Sequence, residues 1–363
     1  MRRVSPGMAR PGMILAKGIL GSNGQILLRA GVEIKTQYLG YLKGLGIEYI
    51  YIRDNRINDV QVDDIIMEET RQQARALIKT VMQNAKSSLA PNLKTKSLNI
   101  YNGEIVRTVV KIVEELLENE AMMVQLIDIR ARDEYLFAHS VNCAVMATLV
   151  AVKMKYNPAE LKCLATGALL HDLGMVAVPE DILNKRESLT GDERKTIERH
   201  PLYGYEIFKK TSIFNAYAGT VILQHHERFQ GQGYPHGLTG PKINPMAQVV
   251  GIVDAYDALT SERPYRKAYP THKAVEMLMS RGEECFDLKI LQSFLSVIAA
   301  YPLGFHVVLS SGESGLVIAN NPDFTLRPVV RVLYTGEDLA PHPAPYDLDL
   351  SQALNLTITE VLN

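Results

Sequence analysis

Tryptophan is absent from the 363 residues, and cysteine occurs only three times, as Cys143, Cys163 and Cys285. An odd number of widely separated thiols argues against a disulfide framework and favours a reducing compartment. The two in apolar helical surroundings, Cys143 and Cys163, read as small buried hydrophobes, and Cys285 is also taken as structural. An excess of charge is missing too: 39 Lys and Arg stand against 40 Asp and Glu, for a formal net charge of -1. Non-specific affinity for nucleic acids comes from surplus cations that displace counterions, so general nucleic-acid binding is not expected. Any phosphate chemistry must be local. Long apolar runs are lacking as well. Arg2 and Arg3 could open a signal peptide, but Pro6, Pro11 and Lys17 interrupt any apolar run after them, so no secretion signal is expected. The most apolar stretch, Val141 to Val152, reads as too short for a bilayer and contains Asn142. The expectation is a cytoplasmic protein without a membrane span, tandem repeats or low-complexity segments.

What is present divides into four parts. Residues 1–57 read as a small α+β module: strands at Met13–Ala16, Ile26–Leu28 and Glu48–Ile52, a turn at Ser22-Asn23-Gly24, and a helix at Thr36–Leu45. Residues 58–118 read as a helical connector. Within it Ile66, Ala74, Leu77, Val81 and Ala85 form a stripe that suits either a homodimer or packing on the chain's own domain. Residues 119–303 are dominated by helices, with two marked starts. Asn157, Pro158 and Glu160 supply a cap, a first-turn proline and a capping-box partner; Thr190 and Glu193 supply a second box. Residues 304–363 alternate as a small β-rich extension, with strands at Val307–Leu309, Leu316–Ala319 and Val329–Leu333.

The chemistry concentrates in the helical centre. Five of the nine histidines, His139, His171, His200, His225 and His226, fall there, and Asp172 adjoins one of them. A carboxylate beside a helix-borne imidazole can turn one oxygen to each of two cations while neutral imidazoles fill other positions. Each histidine alone reads better as a hydrogen-bonded core residue or, for His200, as a helix-terminal one. Together they carry a desolvation cost that a metal would relieve, although spacing leaves their convergence open. Nitrogen and oxygen donors without thiolates suit iron, manganese or zinc.

Five ordered segments resemble the bacterial HD-GYP phosphohydrolases: AHSVNCAV at 138–145, GALLHDLGMVAVPEDILNK at 167–185, ERHPLYGYEI at 198–207, LQHHERFQGQGYPHGL at 223–238 and VDAYDALTSERPYRKA at 253–268. The resemblance implies a mainly α fold: an HD-type helical metal phosphohydrolase core flanked by the α+β module and the β-rich extension. It implies two divalent metal ions, iron or manganese with zinc as an alternative, held by His139, His171, Asp172, His200, His225, His226 and Asp254. Asp172 would bridge them, and His171 and Asp172 would be the catalytic pair. The implied reaction is hydrolysis of cyclic di-GMP by a metal-bridging hydroxide, giving pGpG, with GMP as the alternative end product if a second cut follows. Another cyclic dinucleotide is the alternative substrate.

Substrate contact is assigned by the same resemblance to Arg263 and Arg266, whose guanidinium groups can pair phosphate oxygens, and to the loop element Gly233, Tyr234 and Pro235. In some members that loop contacts diguanylate cyclase domains. Asp257 is expected to hold one of those arginines or a ligand histidine. Three positions depart from the family pattern. Tyr135 stands where a third-metal glutamate occurs, with Glu134 one residue off; Met175 replaces the lysine of HD-x-G-K; and Gln230 replaces an aspartate before the loop. Met175 leaves an alternative open, a cyclic di-GMP receptor or partner-binding protein with little turnover.

Overall fold

The computed structural model describes residues 1–21, 26–45, 47, 49–60, 64–88, 102–119, 123–125, 135–185, 187–261, 267–336 and 338–362. The Ser22-Asn23-Gly24 turn lies outside them. The chain forms two compact units, the first made of residues 1–64, 123–135 and 298–363, the second of 65–122 and 136–297.

The first unit joins the two ends of the chain. Its N-terminal part contains β1 (Arg2–Val4), β2 (Ile19–Leu20), β3 (Ile26–Leu28), α1 (Thr36–Gly44) and β4 (Ile50–Ile52). β1 pairs antiparallel with β4, and β2 with β3. Val4, Leu15, Ile19, Ile34, Leu42, Ile50 and Ile52 bury a shared core there. The segment expected as a first strand, Met13–Ala16, forms only isolated bridges at Ile14 and Leu15.

The C-terminal part is a five-stranded antiparallel sheet in the order β8-β7-β6-β5-β9. Its strands are β5 (His306–Leu309), β6 (Ser314–Ala319), β7 (Val329–Thr335), β8 (Ala340–Asp349) and β9 (Ile358–Leu362). β8 is an edge strand with Pro341, Pro343 and Pro345 at alternate positions. Proline has no N–H to give a ladder, which confines it to such edges. Ile57 and Val60 pack with Leu316 and Leu333. Arg331 pairs with Asp59 and Asp347, each at 2.7 Å, and the Arg3 guanidinium lies between the rings of Tyr49 and Phe305.

The second unit is helical. It comprises α2 (Glu68–Ser88), α3 (Asn102–Glu118), α4 (Tyr135–Lys153), α5 (Pro158–Leu169), α6 (Glu180–Leu183), α7 (Gly191–Ile197), α8 (His200–Phe208), α9 (Ala216–Gln224), α10 (Pro245–Thr260), α11 (Thr271–Ser280), α12 (Gly282–Cys285) and α13 (Leu288–Val297). Both expected capping boxes form. Asn157 accepts from the N–H groups of Ala159 and Glu160 while Glu160 accepts from that of Asn157, and Thr190 and Glu193 reciprocate in the same way. Asn215 and Asn244 cap α9 and α10.

α4 corrects one expectation. The helix has 19 residues, and its window from Leu136 to Lys153 is long and apolar enough to cross a membrane by length and composition. However, 78% of that window is buried within the protein, as a core helix should be. Val141, Ala144, Val145, Ala147 and Val150 leave it no polar face. α10 is similar, with Ala247, Val249, Val250, Ile252 and Val253 all buried. A histidine on α4 or an aspartate on α10 therefore enters the core, where only pairing or metal ligation offsets its desolvation.

Candidate metal centre

His139 sits on α4, His171 and Asp172 just beyond the end of α5, His200 at the start of α8, His225 and His226 just beyond α9, and Asp254 on α10. All seven converge. His139, His171, Asp172, His200, His225 and Asp254 are buried, and His226 is partly exposed.

Three imidazoles are fixed by the same device. Nδ1 of His171, His200 and His225 donates to the carbonyl three residues earlier: Ala168 at 2.7 Å, Ile197 at 2.9 Å and Ile222 at 2.9 Å. Carbonyls in a last helical turn have no intrahelical partner, so a histidine there satisfies one and locks its own tautomer. His139 lies inside a helix, where the carbonyls are already used. Its Nδ1 donates instead to Oδ2 of Asp257 at 2.7 Å. In all four rings Nε2 is left as the acceptor, and these nitrogens face one another.

Nε2 of His139 lies 3.3 Å from Nε2 of His171, and Nε2 of His200 lies 3.2 Å from that of His225. Two lone pairs at such a distance repel unless a cation stands between or beside them. Protonation is opposed by the surroundings. Burial pushes His200 and His226 below the ordinary imidazole range and takes His225 down to about 3. For Asp172 and Asp254 burial acts upward, but the surrounding imidazoles outweigh it and keep both carboxyls below their usual range. Neutral imidazoles and ionised carboxylates are the forms that bind divalent metals.

The carboxylates span the two halves of the cluster. Asp172 turns Oδ2 to His171 at 3.5 Å and His139 at 3.8 Å, and Oδ1 to His200 at 3.3 Å. Asp254 places Oδ1 3.2 Å from His139 Nε2 and Oδ2 3.5 Å from His226 Nδ1. The donor atoms thus form two buried groups that fit a binuclear site. Asp172, His200, His225 and His226 make one group, whose donor atoms lie within 4.8 Å of one another. His139, His171, Asp172 and Asp254 make the other. Cys143 also approaches His139, but its Sγ is 3.7 and 3.8 Å from the two ring nitrogens and so aligns with neither. Burial pushes its thiol up to about 12. That sulfur packs against the ring as a neutral thiol.

The Gly-Tyr-Pro loop borders these ligands. Tyr234 stacks on His226, with ring centroids 4.5 Å apart and planes 29° from parallel. Its N–H donates to the His226 carbonyl at 3.2 Å. Gly233 is required by this approach: a Cβ there would lie 2.4 Å from both the Arg228 nitrogen and the His226 oxygen. Pro235 follows Tyr234 through a cis peptide. The loop is held by a residue that no sequence motif singled out, Glu227. Its buried carboxylate accepts from the N–H groups of His236 and Leu238, each at 2.8 Å. Its position directly after two ligands was the available signal.

Asp257 holds a ligand histidine, one of the two roles expected for it. Asn142 and Ser261, which the sequence did not mark as functional, donate to its carboxylate at 2.9 and 3.2 Å. Arg263 and Arg266 lie outside the described residues, as does Glu134. Met175 is half-buried in the 3-10 turn after Asp172, and its N–H donates to the Asp172 carbonyl at 2.9 Å. Gln230 is exposed.

A helical core with a histidine and aspartate cluster of this kind defines a metal-dependent HD domain. Residues 121–290 match the family model described as "HD domain", and residues 306–363 match "KOW domain associated with HD domain". Residues 121–290 of this chain thus belong to the HD domain family. Among curated proteins it is 32% identical over 238 residues to a cyclic di-GMP phosphodiesterase of Pseudomonas aeruginosa, covering 66% of this chain and 57% of that protein. It is 35% identical over 157 residues to a 3'3'-cGAMP-specific phosphodiesterase of Vibrio cholerae, covering 43% and 34%. The chain spans about half, or less, of the length of the curated relatives it matches. A solved structure of an HDG"Y"P protein from Bdellovibrio bacteriovorus aligns with a TM-score of 0.49 at 20% identity, over 80% of this chain and 97% of that one.

Proposed function

We propose that the protein is a metal-dependent phosphodiesterase that opens cyclic di-GMP to the linear dinucleotide pGpG, with GMP as the alternative end product. The observation that carries the reading is the convergence of the Nε2 atoms of His139, His171, His200 and His225 around Asp172, whose two oxygens face different histidines. Two divalent ions, iron or manganese, held by His139, His171, Asp172 and Asp254 on one side and Asp172, His200, His225 and His226 on the other, would supply water activation and phosphate charge neutralisation. The chain's own part is to keep these donors aimed. The Nδ1 anchors hold the imidazole planes, and burial lowers the proton affinity of His200, His225 and His226. In this reading Gly233, Tyr234 and Pro235 form one wall for the dinucleotide, and Arg263 and Arg266 bind its phosphates. The names of the similar proteins support cyclic di-GMP as substrate, with cyclic GMP-AMP as its competitor.

The test is turnover of both cyclic dinucleotides by full-length protein loaded anaerobically with iron, manganese or zinc, followed by product chromatography. pGpG from cyclic di-GMP is expected. A metal-replete protein that yields no linear product from either compound would refute the reading. Met175 favours one other reading, because a thioether beside Asp172 offers no charge to a phosphate. In that case calorimetry would show tight cyclic di-GMP binding without hydrolysis.

A further inference from the structure

His139 differs from His171, His200 and His225 in that its Nδ1 is anchored by a side chain of another helix and not by a carbonyl three residues earlier. Asp257, on which it leans, is fully buried, and a buried carboxylate persists only when its oxygens are satisfied. Asn142 supplies part of that from α4, one turn beyond His139: its Nδ2 donates to Asp257 Oδ1 at 2.9 Å. The same amide accepts, through Oδ1, from Arg71 Nη1 at 3.1 Å. A guanidinium has donors only, so Arg71 requires the amide to turn its oxygen outward and its NH2 toward Asp257. The hydrogen bonds thus run in one sense from Arg71 to Asn142 to Asp257, where the Nδ1–H of His139 is another donor.

We propose that Arg71 is a positioning residue for the metal centre, setting the aim of His139 through Asn142 and Asp257. Arg71 lies on α2, outside the segment 121–290 that matches the HD domain. The centre therefore depends on a helix that its own motifs do not include. This inference rests on the metal reading above and is independent of the substrate.

The experiment is manganese affinity and stoichiometry of the full-length protein, by competition with a chromophoric chelator. Hydrogen-bond partners of ligand histidines typically change metal affinity by about 10- to 100-fold. Arg71→Met is expected at the lower end, about tenfold, with the loss confined to one of the two ions. Arg71→Lys, which keeps a donor, should restore part of it. In an Asn142→Leu background, Arg71→Met should add nothing. Gln73→Ala, an exposed change on the same helix, reports on α2 itself and should leave affinity unaltered. Equal losses from Arg71→Met with and without Asn142, or loosening of both ions alike, would overturn the relay. Failure of the wild-type protein to bind manganese would overturn the metal reading and the relay together.

Discussion

Replacing Gly174 by alanine should remove one metal site although no ligand residue is substituted. Gly174 follows Asp172 by two residues, in the turn packed on the start of α8. An added Cβ would lie 1.9 Å from the His200 carbonyl oxygen and 2.5 Å from the Gly204 nitrogen. Both neighbours are backbone, so no side-chain rotation relieves the clash. Ordinary contact begins at 3.4 Å, so α8 must retreat by about 1.5 Å and carry His200 with it. His200 now stands 3.3 Å from Asp172 and 3.2 Å from His225, and metal–ligand distances tolerate only about 0.2 Å. The group containing His200, His225 and His226 should then fail to hold its ion. Overpacking of this kind also costs about 1–3 kcal/mol of stability. Elemental analysis of Gly174→Ala should give close to one ion per chain, with a lowered Tm. Gly191→Ala is the control, because nothing lies within 4 Å of a Cβ at that position. Two tightly bound ions in Gly174→Ala would refute the account of how α8 is placed.

The same geometry sets three further outcomes. Met175→Lys adds a cation beside Asp172, and a charge-assisted hydrogen bond to phosphate is worth about 1.5–3 kcal/mol, so cyclic di-GMP turnover should rise by roughly one to two decades; unchanged kinetics would remove Met175 as an explanation of low activity. Glu227→Gln weakens the hold on His236 and Leu238, so KM for cyclic di-GMP should rise severalfold with metal content unaltered; loss of metal instead would place Glu227 in the metal centre. Metal-free protein should lose stability in acid. His225, at about 3 when folded, titrates near 6.5 when unfolded, so the unfolded state binds the extra proton and stability falls as pH drops from 6.5 toward 3. The slope should reach about 1.4 kcal/mol per pH unit for this group alone, with His200 and His226 acting in the same direction. Denaturant unfolding at stepped pH measures it, and a flat profile over that range would contradict the neutral-imidazole assignment.

The parts of this molecule that could be read from sequence are those set by neighbouring residues. Asn157 with Glu160 and Thr190 with Glu193 each fix a helix start within four residues, and both formed as expected. The candidate ligand histidines stood out in ordered motifs, but their tautomers depend on which carbonyl each ring meets. That is decided by where α5 and α9 stop. Arg71 was invisible for a related reason, since its partner Asn142 lies 71 residues away. α4 proved longer than its apolar core suggested, because Tyr135–Ser140 mixes polar residues into a helix whose surroundings are buried. Strands β1, β2, β8 and β9 were not foreseen; β8 carries three prolines, which are unfavourable in a strand away from a sheet edge. The union of the first 64 residues with the last 66 rests on contacts such as Arg331 with Asp59, which no local pattern encodes.

The alternate prolines of β8 give the terminal sheet a direction. With Pro341, Pro343 and Pro345 unable to donate, the first half of that margin offers fewer N–H groups to another strand. The opposite margin, β9, carries no proline from Ile358 to Leu362. Accretion of a foreign strand, whether from a second molecule or in misfolding, is thereby biased toward β9.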